Sequence, residues 1–211
     1  MLEWLTGRRR TAHGAADKAT RERWVVVDVE TSGMDAAADR LIAIGAVALH
    51  GGRVAPGDSL EIIVRQAAAS SRANILVHGV GVGAQLAGTD PSRAISAFLD
   101  YVGQAPLLAF HAPFDRGFRA RAIKQYVNTP FDNPWLDVAE LAPALLPKLP
   151  LRSLDEWLNA TGIPVAARHS AAADAFATAL LVTRLLPEAR RQGADGFAAL
   201  QHLARQAKWL H

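Results

Sequence analysis

The run WVVVDVE, Trp24 to Glu30, constrains this chain more than any other stretch. A tryptophan and consecutive valines favour a pleated, buried strand at the centre of a sheet. Asp28 interrupts the run and Glu30 follows two positions later. Side chains two apart in a strand share a face, so these carboxylates project together. Two adjacent carboxylates repel each other, and burying either without compensation is costly. A divalent cation that prefers oxygen ligands removes the penalty. A strand end whose acids face water removes it too, and the pair alone does not decide between them.

After this strand the chain alternates strand-like and helix-like segments. RLIAIGAVAL, Arg40 to Leu49, is a second apolar run. His50-Gly51-Gly52-Arg53 reads as a turn into a third strand near Ser59 to Arg65, which predicts an antiparallel meander. Asp90 followed by Pro91 is an N-cap followed by a first helical residue, with apolar side chains recurring at Ile95, Phe98, Leu99 and Val102. APLLAF is a short strand, FDRGFRARAIKQYV a helix, and PWLDVAELAPALLP a short strand and helix between prolines. Ser153 and Glu156 have capping-box spacing. A long Ala/Leu helix runs from about Ser170 to Leu186. The closing segment is amphipathic, with Phe197, Leu200, Leu203 and Ala204 on one side. Gln66 to Gly88 has no clear period and reads as a loop region near a site. The element order predicts an α/β sandwich with a mixed sheet of about five strands.

Half of the 211 residues are apolar, enough for one full core. The expected division is a basic N-terminal extension over 1–23, a central domain over 24–190 and an amphipathic C-terminal helix over 191–211. There is no cysteine, which excludes disulfides and thiolate metal sites and fits a reducing cytosol. Any metal must bind through carboxylates and histidines. No apolar stretch suggests a secretion signal or membrane span, so a cytoplasmic protein with no membrane partner is expected. Residues 1–23 carry six Lys/Arg against three acids and residues 184–211 five against two, whereas 24–183 carry twelve against fifteen. Such basic ends suit nucleic acid or an acidic membrane surface, and also suit a merely solvated tail.

Two further acids bear on the first pair. Asp115, in LAFHAPFDRGF, follows a short strand at the start of a helix, where an acid also complements the helix dipole. Asp174 lies among the small and apolar residues of SAAADAFATALLV, where an unpartnered carboxylate would be expensive. His169 precedes Asp174 by five positions, about 140° around one continuous helix. The two face one site more easily if His169 lies in a loop before the helix. A loop imidazole beside such acids is placed to take a proton from water, although a lone histidine there would more often be a surface residue.

Together these segments resemble the histidine-containing (DEDDh) subgroup of the DEDD 3′–5′ exonucleases, which includes the epsilon subunit of bacterial DNA polymerase III, ribonuclease T and oligoribonuclease. VVVDVETSG with DRLIAIGAVAL is similar to the first motif and second strand, LAFHAPFD to the second motif, and RHSAAADAFATALLV to the third. HGV at His78 to Val80, WLDVAELA and SLDEWLNATGIP are also family-like. The resemblance spans roughly residues 24–186. One position departs from the pattern: His111 stands where the second motif usually has asparagine, which implies altered supporting hydrogen bonds and substrate preference.

The resemblance implies a ribonuclease H-like three-layer sandwich and a two-metal-ion 3′–5′ exonuclease. Asp28, Glu30, Asp115 and Asp174 would hold two Mg²⁺ or Mn²⁺, with Asp28 bridging, and His169 would act as general base. Thr31, Ser32, His111 and Phe114 are weaker candidates for substrate contact, since Thr31 also suits a turn and Phe114 the core. The expected partners are 3′ ends of single-stranded DNA or RNA, with DNA favoured, and a DNA polymerase subunit. A non-catalytic nucleic-acid- or polymerase-binding module on the same fold is the alternative.

Overall fold

A computed structural model describes residues 22–33, 35, 39–112, 117, 121, 123–126, 131–149, 151–164 and 169–208. Of the N-terminal extension, only Glu22 and Arg23 fall within that range. Five strands form one mixed sheet: β1 Arg23–Thr31, β2 Leu41–His50, β3 Arg53–Ile63, β4 Leu107–Ala109 and β5 Trp135–Asp137. Their spatial order is β3-β2-β1-β4-β5. β1 pairs antiparallel with β2 and β2 antiparallel with β3, whereas β1–β4 and β4–β5 are parallel. This is the expected mixed α/β sheet, with β1 at its centre.

Alternation along β1 builds both layers of core. Val25, Val27 and Val29 pack with Ile44 and Leu107 against helix α3, Pro91–Val102, through Ile95, Phe98 and Val102. Trp24 and Val26 pack on the opposite face with Val47, Leu49 and Leu108. That face is covered by α4 Val138–Leu145, α5 Leu154–Ala160, α6 Ala171–Arg191 and α7 Phe197–Lys208. Asp28 and Glu30 continue the phase of Trp24 and Val26, so they leave the sheet on the side of α6.

Local signals read from the sequence form as expected. The Asp90 side chain caps α3 with Pro91 in its first turn, and Ser153 and Glu156 make both hydrogen bonds of a capping box on α5. Three segments differ. β3 starts at Arg53, not near Ser59, and contains Pro56 and Gly57. It is an edge strand, where a missing N–H is tolerated, and its register slips between Val47 and Ala48 to accommodate the extra residues. α6 continues through Pro187 to Arg191. The segment read as a loop, Gln66 to Gly88, contains two short helices, α1 Arg72–His78 and α2 Val82–Ala87. It buries Gln66, Ser70, His78 and Gln85 while exposing Leu76, Val77, Val82 and Leu86. That inverted polarity removes the apolar period by which a helix is recognised.

The C-terminal helix α7 is part of the same core. Phe197, Leu200 and Ala204 are buried, Phe197 stacks edge-on against Trp24 at 5.8 Å, and Gln201 donates to the Trp135 carbonyl. Its apolar face is therefore covered by its own chain. Among the described residues no helix is long and apolar enough to cross a membrane.

Candidate active site

The site forms where the end of β1 meets the start of α6. Gly45 of β2 lies directly opposite Asp28 in the β1–β2 register. A Cβ at Gly45 would overlap the backbone of Ala171 and Ala172, so the first turn of α6 rests on the sheet with no side chain between them. Ser170 caps that helix, and Asp174 lies in its first turn. Single oxygens of Asp28, Glu30 and Asp174 consequently lie within 4.8 Å of one another, all three residues partly buried. Residues separated by some 140 positions thus converge on one point. The donor set is entirely hard carboxylate oxygen, which suits Mg²⁺ or Mn²⁺ and gives a soft metal no sulfur or nitrogen.

The strand end that carries these acids is irregular. The β1–β2 register shifts between Glu30 and Thr31, leaving a bulge next to the carboxylates, and bulges re-aim side chains at such places. The Thr31 hydroxyl donates to the Gly33 carbonyl at 2.6 Å. Ser32 braces the following loop: its hydroxyl donates to Asp39 Oδ1 and accepts from the Arg40 N–H, both at 2.9 Å. Both side chains thus hold the turn beside Glu30.

His169 lies in the loop just before α6, with a left-handed backbone at φ 64°, and its N–H donates to Asp174 Oδ1 at 3.2 Å. The loop backbone and the acid are thereby tied together, and the imidazole stays exposed at the rim. His111 has the same left-handed φ of 64°. Its N–H donates to Asp137 Oδ1 at 3.0 Å, and its ring meets Phe110 edge-on at 4.8 Å. Histidine, like asparagine, is among the non-glycine residues most tolerant of this conformation, so His111 suits the turn it occupies. Asp137 also accepts from the Ala139 N–H at 2.9 Å. Burial pushes its carboxyl above the ordinary carboxylate range, opposed by the N–H groups of Ala139 and Ala112. Asp115 and Phe114 lie outside the described residues.

Three participants were not read from the sequence. Gly45 had a usable signal, because an isolated glycine inside an apolar strand marks a close backbone approach. Asp137, and Asn74, whose side-chain amide donates to the Thr31 carbonyl at 2.9 Å, had none, since these contacts run to backbone groups brought near by the fold.

A mixed sheet in the order 3-2-1-4-5, layered by helices and carrying a carboxylate cluster at the end of its central strand, defines the ribonuclease H-like class of nuclease folds. Within that class the chain belongs to the exonuclease family RNase_T, whose model matches residues 25–182, and so to the DEDDh-type exonuclease superfamily. A DNA polymerase III subunit epsilon-like protein of Rhodobacter capsulatus is 32% identical over 187 residues, covering 87% of this chain and 26% of that protein. The PolC-type DNA polymerase III of Bacillus subtilis is 30% identical over 184 residues, covering 86% of this chain and 13% of the polymerase. E. coli exonuclease I in complex with a dA16 oligonucleotide superposes with a TM-score of 0.70 at 20% identity, covering 81% of this chain and 42% of that one. The chain thus spans about a quarter or less of these curated relatives and under half of the solved neighbour.

Proposed function

We propose that this chain is a metal-dependent 3′–5′ exonuclease domain that removes nucleoside 5′-monophosphates from the 3′ end of single-stranded or frayed nucleic acid, DNA favoured. The observation that carries this reading is the convergence of Asp28, Glu30 and Asp174 within 4.8 Å in a chain of the exonuclease family. Two ions, Mg²⁺ or Mn²⁺, would be held by these residues together with Asp115, with Asp28 shared. Such ions supply Lewis acidity to the scissile phosphate and to the attacking water.

The chain's own groups supply the rest. The carboxylates would hold these ions at fixed positions on β1 and α6, and the ions would supply the positive charge that a terminal phosphate needs beside three acids. An imidazole nitrogen of His169, exposed and tethered through its backbone to Asp174, takes the proton of the attacking water. The water oxygen bonds to phosphorus, the bond from phosphorus to the 3′-oxygen breaks, and that oxygen leaves as the new 3′-hydroxyl after taking a proton from solvent. A terminal base must be unpaired to enter, which favours single strands. The R. capsulatus and B. subtilis relatives support a setting beside a DNA polymerase, and the oligonucleotide on E. coli exonuclease I supports DNA as substrate.

Asp28→Asn and Asp174→Asn, assayed on a 5′-labelled oligonucleotide with Mn²⁺, should each lose about 10³-fold or more of mononucleotide release, equivalent to several kcal/mol. Full activity in both variants overturns the assignment. A wild type that binds the oligonucleotide without degrading it in either Mg²⁺ or Mn²⁺ favours a binding module. Matched DNA and RNA oligonucleotides, with and without a 3′ overhang, decide the substrate.

A further inference from the structure

Helix α1 lies against the carboxylate-bearing end of β1 through polar groups whose orientations are forced one after another. His78 is 1% exposed. The Val80 N–H donates to its Nδ1 at 2.9 Å, so that nitrogen carries no proton. Burial lowers the pKa of the ring, which stays neutral with its proton on Nε2. Nε2 lies 2.9 Å from Asn74 Oδ1 and donates to it. That contact fixes the Asn74 amide, whose Nδ2 donates to the Thr31 carbonyl at 2.9 Å. Thr31 is the residue after Glu30, at the bulge where the regular β1–β2 register is lost.

The network is closed from behind. Gln85, fully buried, accepts from the Ser70 N–H at 2.8 Å and donates to the Ser70 hydroxyl at 3.1 Å and to the Val80 carbonyl at 2.8 Å. The end of α1 also reaches the second side of the site: a Cβ at Gly79 would lie 3.8 Å from the His169 carbonyl. A short helix with an exposed apolar outer surface is thus held by a satisfied, buried polar layer beneath it, an arrangement that rigidifies and specifies geometry.

We propose that Asn74, oriented by the Nε2–H of His78, is a positioning residue that pins the Thr31 carbonyl and thereby sets the direction of Glu30 and the metal affinity of the carboxylate cluster. This rests on reading Asp28, Glu30 and Asp174 as metal ligands. Groups behind metal ligands typically change affinity or activity by about 10- to 100-fold when removed.

The test is Mn²⁺ binding, followed by the electron paramagnetic resonance of free Mn²⁺ so that no turnover is required. Asn74→Ala and the near-isosteric Asn74→Leu are compared with wild type at a temperature where circular dichroism shows all of them folded. The control is Asn133→Ala, which removes the same kind of bond, side-chain amide to the Gly103 and Ala105 carbonyls, at the opposite end of the sheet. The expected result is Mn²⁺ binding weakened about 10- to 100-fold in both Asn74 variants and unchanged in the control. In activity assays the Mn²⁺ half-saturation should rise by the same factor while the rate at saturating Mn²⁺ recovers. Wild-type Mn²⁺ affinity in both Asn74 variants, or equal weakening in Asn133→Ala, overturns the proposal. A wild type that binds no Mn²⁺ overturns the metal-site reading and the proposal together.

Discussion

Gly45→Ala is the sharpest test of how the site is assembled. The added methyl would overlap the Ala171 and Ala172 backbone, and a backbone segment cannot swing aside as a side-chain tip can. To restore ordinary carbon contact, α6 must retreat from β2 by roughly 1 Å or more. Overpacking of this kind costs about 1–3 kcal/mol, and the conformational advantage of alanine over glycine in a strand returns about 0.5–1 kcal/mol. With no flexible group to give way, the cost lies at the upper end, a net loss of about 2–2.5 kcal/mol and a fall of about 4–10 °C in Tm for a chain of this size. The same retreat carries Asp174 away from Asp28 and Glu30, whose oxygens now lie within 4.8 Å of it. The assay is thermal denaturation with and without Mn²⁺. A ligand at 100 times its Kd stabilises the folded state by about 2.7 kcal/mol, and the variant should gain distinctly less than wild type at the same Mn²⁺. A melting temperature within about 1 °C of wild type, well inside the 2–4 °C expected per kcal/mol, together with equal Mn²⁺ stabilisation, would refute the reasoning.

Two further outcomes concern other groups. Arg23 donates to both oxygens of Asp58 at 2.8 and 2.9 Å, and His50 lies 2.7 Å from Oδ2; the Arg23 bond, assisted by His50, holds the Asp58 carboxyl well below the usual carboxylate range. Because the folded value lies below the unfolded value of about 3.9, this contribution is complete above that pH and disappears as pH falls through the depressed range. Asp58→Asn should therefore melt below wild type at neutral pH, with the gap closing under acid; a gap constant from neutral pH to about pH 2, below the unfolded value, contradicts this. At His111, φ 64° makes a β-branched residue costly by about 1–2 kcal/mol. His111→Val should melt lower while His111→Asn keeps wild-type stability, and equal melting of both variants would show that the backbone there relaxes freely.

Much of the fold was legible in the sequence because its signals are local. The valine run placed β1, the Asp90–Pro91 pair opened α3, and the Ser153–Glu156 spacing marked the capping box, each depending on groups within a few residues. The expectation for Gln66 to Gly88 was incorrect because α1 and α2 bury polar side chains and expose apolar ones, the reverse of the pattern that marks an amphipathic helix. The start of β3 was misplaced because a proline and glycine inside a strand are acceptable only at a sheet edge, and edge position is a tertiary fact.

The candidate site divides the same way. Residue types and spacing single out Asp28, Glu30, His169 and Asp174 as candidates and favour a loop position for His169, while the resemblance to the exonuclease family is what implies their roles. Their meeting does not, because it depends on the sheet order and on a helix resting directly on Gly45. Nor could the sequence reveal that the Asp174 carboxylate accepts the His169 N–H, or that Asn74 holds the Thr31 carbonyl. Chemistry that resides in a side chain is written in the sequence, whereas hydrogen bonds to backbone exist only once tertiary packing brings distant peptide groups within reach.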